Sequence, residues 1–187
     1  TSSYDLPFDR ESELSQIQAK IVSQSNHILG HHSGYRTSKN PDTFEKSLQR
    51  FKKKFASFNN NLSEIQNRFH YLRFDPIHDM HVLSKHDYIS DSTLGFADSV
   101  GFRSGTCWKH GMYDLLERQP TKVMQRPLIA MDVTLYSKKY MGLNEDQALN
   151  KLNDLTKTVS DFSGDMVVIV HNNQLFSKQR KELLEKF

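Results

Sequence analysis

Histidine, arginine and carboxylate side chains recur along this chain where apolar runs end: His31-His32, Arg68 with His70, Asp91, Asp132 and His171. Imidazole gives or takes a proton near neutrality, a carboxylate serves as base or metal ligand, and a guanidinium orients anions. Side chains of these types, brought together, suit a hydrolytic or metal-assisted site. The clearest instance is Met166-Val167-Val168-Ile169-Val170, followed by His171-Asn172-Asn173. Such an apolar, β-branched run reads as a strand buried on both faces, as in a parallel sheet. His171 is the first residue past it, and chemistry in α/β folds gathers at the carboxyl ends of strands. Two readings stay open on this stretch alone: proton transfer, or a turn before a helix starting near Ser177. Asp132 is a second anomaly, an acid inside the apolar run 127–135. Either it contacts the site, through Arg103 or Arg126, or it lies at an edge.

These residues need elements to hold them. Leu14, Ile17, Ile21 and Val22 predict an amphipathic helix over 11–23, and 28–30 reads as a short strand ending on His31-His32. Pro41-Asp42 opens a helix with Phe44, Leu48, Phe51 and Phe55 on one face, broken by Asn59-Asn60-Asn61. A strand is expected over 69–74, a helix from Asp75-Pro76 to about Lys85, and a short strand at Tyr88-Ile89 leading into Asp91. Residues 92–116 are glycine-rich and read as irregular, and 127–135 reads as a buried strand. Leu149, Leu152, Leu155 and Val159 predict a helix over 144–160 with Asn144 as its N-cap. A strand at 166–170 and a closing helix follow. This alternation indicates an α/β fold with mainly parallel strands in one domain over 1–187. A closed eightfold barrel takes about 250 residues. The 187 present suit a reduced or distorted (β/α) barrel, with room for its first strand to be missing.

Composition narrows the partners. Net charge is only +3 and the basic residues are spread out, so nucleic acid is not an expected partner. Lys52-Lys53-Lys54 reads as a solvated helix face. The single cysteine, Cys107, excludes an internal disulfide framework and any multi-thiolate zinc site, and it favours a reducing compartment. The expected location is the bacterial cytoplasm. No apolar run is long enough to cross a bilayer, so no membrane insertion is expected. A chain starting at Thr1 suggests a processed or trimmed N-terminus.

Several tracts, in order, resemble a known family: His27-Ile28-Leu29-Gly30-His31-His32-Ser33-Gly34-Tyr35, Arg68-Phe69-His70-Tyr71-Leu72-Arg73-Phe74, Asp91-Ser92-Thr93-Leu94-Gly95-Phe96-Ala97-Asp98, Gly101-Phe102-Arg103-Ser104-Gly105-Thr106 and Val170-His171-Asn172. They look like one branch of the polysaccharide deacetylases with a NodB-type homology domain. The likeness runs from about Tyr4 to the C-terminus. It implies a reduced (β/α) barrel that uses a divalent metal, zinc first, to remove acetyl groups from N-acetylated sugars. By the same resemblance, His32 matches a metal histidine and His171 the general acid. Arg68 matches the arginine that orients the base, and Asp91 the aspartate that supports the late-strand histidine. Tyr71 falls where the family's oxyanion-stabilising backbone N–H lies.

The chemistry agrees with such roles. A metal polarises the acetyl carbonyl and acidifies bound water, a charged acid protonates the leaving amine, and a backbone N–H stabilises the oxyanion. The sequence departs from the pattern at Arg36, four residues after His32, where the family has its second metal histidine. A guanidinium cannot bind a divalent cation. The family's early-strand aspartates would fall before Thr1. His31 could substitute as a ligand, although neighbours on a strand point to opposite faces. Asn172, Arg103, Trp108 and Asp132 are expected to contact substrate, with Trp108, Tyr113 and Phe102 able to stack on a sugar or pack in the core. Asp98 and Arg103 flank Gly101 and could instead tie their loop by a salt bridge. His78 and His81, one turn apart, could hold a metal, though exposed helix histidines usually do not.

The leading expectation is a carbohydrate deacetylase-like hydrolase acting on a surface polysaccharide or its precursor. The alternative is a catalytically degenerate glycan-binding or assembly module on the same fold. A third reading is metal-independent hydrolysis or transfer by the same histidine and carboxylates.

Overall fold

The computed structural model describes residues 28, 30–55, 65–86 and 88–171. It is a mixed α/β structure with mostly parallel strand pairs, which divides into two compact units. The first holds the described residues up to Thr93 together with Gly111–Met124. The second holds Leu94–His110 and the described residues from Gln125 onward.

The first unit is built on a five-stranded sheet of β1 (Gly30–Ser33), β2 (Ile65–Phe69), β3 (Tyr88–Asp91), β4 (His110–Asp114) and β5 (Gln119–Gln125), in the order β1-β2-β3-β5-β4. Strands β1, β2 and β3 run parallel, and their register sets His32 opposite Arg68 and Asn67 opposite both His31 and Asp91. Helix α1 (Pro41–Phe55) starts with proline in its first turn, and Asn40 Oδ1 accepts from Thr43 N at 3.0 Å. Its last turn carries Lys52, Lys53 and Lys54, where positive charge offsets the helix dipole. Phe44 and Leu48 are buried on its inner face, in one core with Ile65, Phe69, Met80, Leu83, Tyr88 and Val123. Helix α2 (His78–Ser84) is tied by buried Asp79, which accepts from Ser38 Oγ, Lys39 N and Asp75 N at 2.6–2.8 Å.

The second unit pairs two short parallel strands, β6 (Ala130–Met131) and β7 (Val168–Ile169). Helix α3 (Asp132–Tyr136) begins immediately after β6. Helix α4 (Glu145–Asp161) opens with a reciprocal capping box between Asn144 and Gln147. It buries Ala148, Leu152, Leu155 and Val159 against residues that include Ala130, Leu135, Ile129 and Cys107. Gly164 packs so closely on Cys107 that a Cβ there would strike its side chain.

Several expected boundaries shift. The strand expected over 69–74 is β2, ending at Phe69, because Tyr71 (φ 58°) and Leu72 (φ 51°) turn left-handed. His31 and His32 lie inside β1 rather than beyond it. The run 127–135 is strand only at Ala130–Met131, and then turns helical. The irregular 92–116 region contains β4, which hairpins to β5 through Leu115–Arg118. The helices expected over 11–23 and after Ser177, and the Asn59–Asn61 break, lie outside the described residues. Among the described residues no helix is long and apolar enough to cross a membrane.

Candidate active site

Parallel pairing of β6 and β7 puts the residues that follow them at the same end of the small sheet. Asp132 follows β6 and His171 lies just past β7. The two meet there. Asp132 Oδ1 is 2.6 Å from His171 Nδ1, and Asp132 Oδ2 accepts from the His171 backbone N–H at 2.6 Å. One carboxylate therefore holds both the ring and the main chain of the histidine. Val133 N donates to Oδ1 as well, at 2.6 Å, which pins the carboxylate in the first turn of α3. A carboxylate only accepts, so Nδ1 is the donor in this pair and Nε2 is the ring nitrogen that Asp132 leaves to other partners. Asp132 is buried, with 8% of its side chain exposed, whereas the His171 side chain is 39% exposed. The carboxylate is sheltered and the ring can be reached.

The resemblance pointed to Asp91 as the support of the late-strand histidine, but the carboxylate on His171 is Asp132. Its sequence anomaly is resolved: Asp132 is neither a mid-strand acid nor an edge residue, but the first residue of a helix, facing His171.

In the first unit, the ends of β2 and β3 carry a second polar cluster. Asp91 is fully buried and accepts from Asn67 Nδ2 at 2.7 Å, Thr93 N at 2.8 Å and Thr93 Oγ1 at 2.8 Å. Burial pushes its carboxyl up to about 6, although those hydrogen bonds and the Arg68 charge pull the other way. Thr93 Oγ1 also accepts from Phe69 N at 3.0 Å, so Thr93 fastens β2 to the end of β3. Arg68 Nε donates to the Ser92 carbonyl at 3.3 Å. Across β1, His32 Nδ1 donates to the Arg68 carbonyl at 2.9 Å, which leaves the ring lone pair on Nε2. Asn67 and Thr93 escaped the sequence reading. Thr93 was visible as a hydroxyl two residues past an acid, the spacing of a local side-chain turn.

His31 is a core residue and not a metal ligand. Period-two alternation turns it to the other face of β1, where its ring packs against Phe44 and Phe51. Nδ1 lies 2.6 Å from Tyr88 Oη and Nε2 3.0 Å from Ser47 Oγ, so both ring nitrogens are engaged. Burial, with the neighbouring His32 and His86, lowers its pKa to about 3. Such a ring stays neutral and structural.

Tyr71 is 60% exposed in the left-handed turn after β2. Arg103 donates to the Gly95 carbonyl at 2.9 Å and so closes its loop. Trp108 is 57% exposed, with its indole N–H donating to the Phe162 carbonyl at 2.6 Å. His78 pairs with Asp75 and His81 with Asp114, so each imidazole is occupied by a carboxylate. Cys107 is buried. Asn172 lies outside the described residues.

Among the described residues no three histidine, cysteine or carboxylate groups come together as a metal site. His32 has the ring hydrogen bond typical of a metal ligand. Comparison with known proteins matches no family model, no curated protein and no solved structure.

Proposed function

We propose that this chain is a carbohydrate deacetylase-like hydrolase, with His171 as its proton-transfer residue and Asp132 as the group that orients it. One observation carries the reading: a sheltered carboxylate gripping Nδ1 and the backbone N–H of a reachable histidine at the ends of two parallel strands. Amide hydrolysis needs a proton delivered to the departing amine nitrogen, which is otherwise too basic to leave. His171 Nε2 is the donor atom. The Asp132 carboxylate balances the charge of the doubly protonated ring and keeps Nε2 pointed outward. The sequence tracts alone give the Tyr71 N–H an oxyanion role and Arg68 and His32 supporting ones. The substrate class, N-acetylated sugars of a surface polysaccharide or its precursor, rests on the sequence tracts, as do the reduced (β/α)-barrel architecture and the use of a divalent metal.

The test is acetate release from N-acetylated glycans by wild type, His171→Ala and Asp132→Asn. Loss of a positioned acid lowers turnover by about 10²- to 10⁴-fold. His171→Ala should fall in that range. Asp132→Asn should lose less, because the ring survives and only its orientation and charge balance suffer. Equal rates in all three would remove the pair from the mechanism.

A glycan-binding module without turnover is the second reading, favoured by Arg36 in the position of the family's second metal histidine. It expects glycan binding with no acetate release from wild type.

A further inference from the structure

Where β2 ends, the chain makes a turn that side-chain-bearing residues rarely adopt. Tyr71 (φ 58°) and Leu72 (φ 51°) are consecutive left-handed residues without a glycine, and Arg73 N closes the turn on the His70 carbonyl at 3.3 Å. Left-handed backbone of this kind persists where surrounding contacts impose it, and it concentrates at ligand clamps. The contacts are a succession of rings. His32 meets His70 edge-on at 4.9 Å, His70 meets Tyr71 at 4.7 Å, and Tyr71 meets Tyr35 at 5.4 Å and 89°. Tyr35 is held in turn by Arg73, whose guanidinium lies 4.3 Å from the ring centroid and whose Nη1 donates to the Tyr35 carbonyl at 3.3 Å.

Each ring in this strip lies against the next, and Tyr71 is 60% exposed. A folding account explains Leu72 and Arg73 well enough, since they lead the chain toward α2. Tyr71 itself stands exposed on left-handed backbone that a glycine or asparagine would relieve.

We propose that Tyr71, buttressed by Tyr35 and Arg73, is a stacking platform for a pyranose ring of an N-acetylated glycan. This assignment deepens the carbohydrate reading above and rests on it for the ligand class. A hexopyranose offers an apolar C–H face to an aromatic ring and a rim of hydroxyl and acetamido groups to the phenol and imidazole edges alongside. Aromatic rings give large contact at small entropic cost because they have few rotatable bonds. Nucleic acid, which also stacks on tyrosine, is disfavoured by the small and dispersed net charge of +3.

Two substitutions separate ring from backbone. Tyr71→Phe keeps the ring. Tyr71→Asn removes it while suiting the left-handed conformation, so the turn survives. Binding of a β-linked N-acetylglucosamine tetramer is measured by titration calorimetry for wild type, both variants and His171→Ala. Acetate release is followed in the same samples. The platform predicts binding by Tyr71→Phe within about twofold of wild type and weakening of about tenfold in Tyr71→Asn. His171→Ala should bind like wild type. Equal binding by Tyr71→Asn and wild type overturns the platform, as does failure of wild type to bind the tetramer at millimolar concentration. Acetate release keeps the two ideas apart. Release together with Tyr71-independent binding overturns the platform alone, whereas Tyr71-dependent binding without release supports the platform and overturns the hydrolase.

Discussion

Two buried titratable side chains of the first unit act on stability with opposite sign. Burial leaves Asp91 at about 6, above its open-chain value of 3.8. Between those values the native protein holds a proton that the unfolded chain has lost. The Asp91 contribution is therefore full below about pH 3.8 and declines as pH rises through 6. His31, lowered from 6.5 to about 3, behaves the other way: its contribution is full above pH 6.5 and is lost as pH falls toward 3. Asp91→Asn should accordingly gain stability relative to wild type between pH 4 and pH 7, by about 3 kcal/mol. Oδ1 of the neighbouring Asn67 is buried without a hydrogen-bond partner, so an amide at position 91 has an acceptor to meet once the Asn67 amide turns over. Urea midpoints at unit pH intervals check this, and parallel wild-type and variant curves would sink it. His31→Gln, which can still bond Tyr88 and Ser47, should lose less stability on acidification than wild type. The residue scale also shows how far the site was legible. A polar residue ending a β-branched run marked His171, and an acid among apolar neighbours marked Asp132. Their pairing was not legible, because it depends on β6 lying beside β7, a contact between segments far apart in sequence.

Helices were easier to read than strands because their signals are local. Asn144 with Gln147 three residues on is a capping box in sequence, and the structure makes both of its hydrogen bonds. Asn144→Ala removes the acceptor for Gln147 N and should cost about 1 kcal/mol. Thermal denaturation of the variant checks that figure, with Asn144→Ser as a control that restores most of it. An unchanged midpoint in Asn144→Ala would mean that α4 is held by packing alone. Strand limits were displaced because they are decided by partners. β2 stops where left-handed Tyr71 breaks extension, and β6 stops where Asp132 turns to His171. The β4–β5 hairpin went unread since its turn, Leu115–Arg118, lacks the Asn-Gly or Asp-Gly signature. Its turn is instead held by Asp114, which accepts from Leu116 N and Glu117 N at 2.9 and 3.1 Å.

At the scale of the whole molecule, the buried side chains form separate cores within the two units. Leu83 is fully buried in the core that β2, β3 and β5 form with α1 and α2, and Leu152 in the core of β6 with α4. Truncating either to alanine leaves a cavity and should cost about 2–5 kcal/mol. If each core supports its own unit, the two losses have different footprints in amide hydrogen exchange. Leu83→Ala should speed exchange in 30–55, 65–86 and 88–91 while leaving 145–161 protected, and Leu152→Ala should do the reverse. Acceleration of both regions by either substitution would show a single cooperative block and refute separate cores. The footprint bears on chemistry, because Asp132 and His171 stand at the ends of the strands that the second core supports. Loosening that core loosens a 2.6 Å pair whose value lies in its fixed geometry. On the proposed hydrolase reading, Leu152→Ala should therefore lower acetate release at temperatures where the chain is still folded, while circular dichroism remains that of wild type.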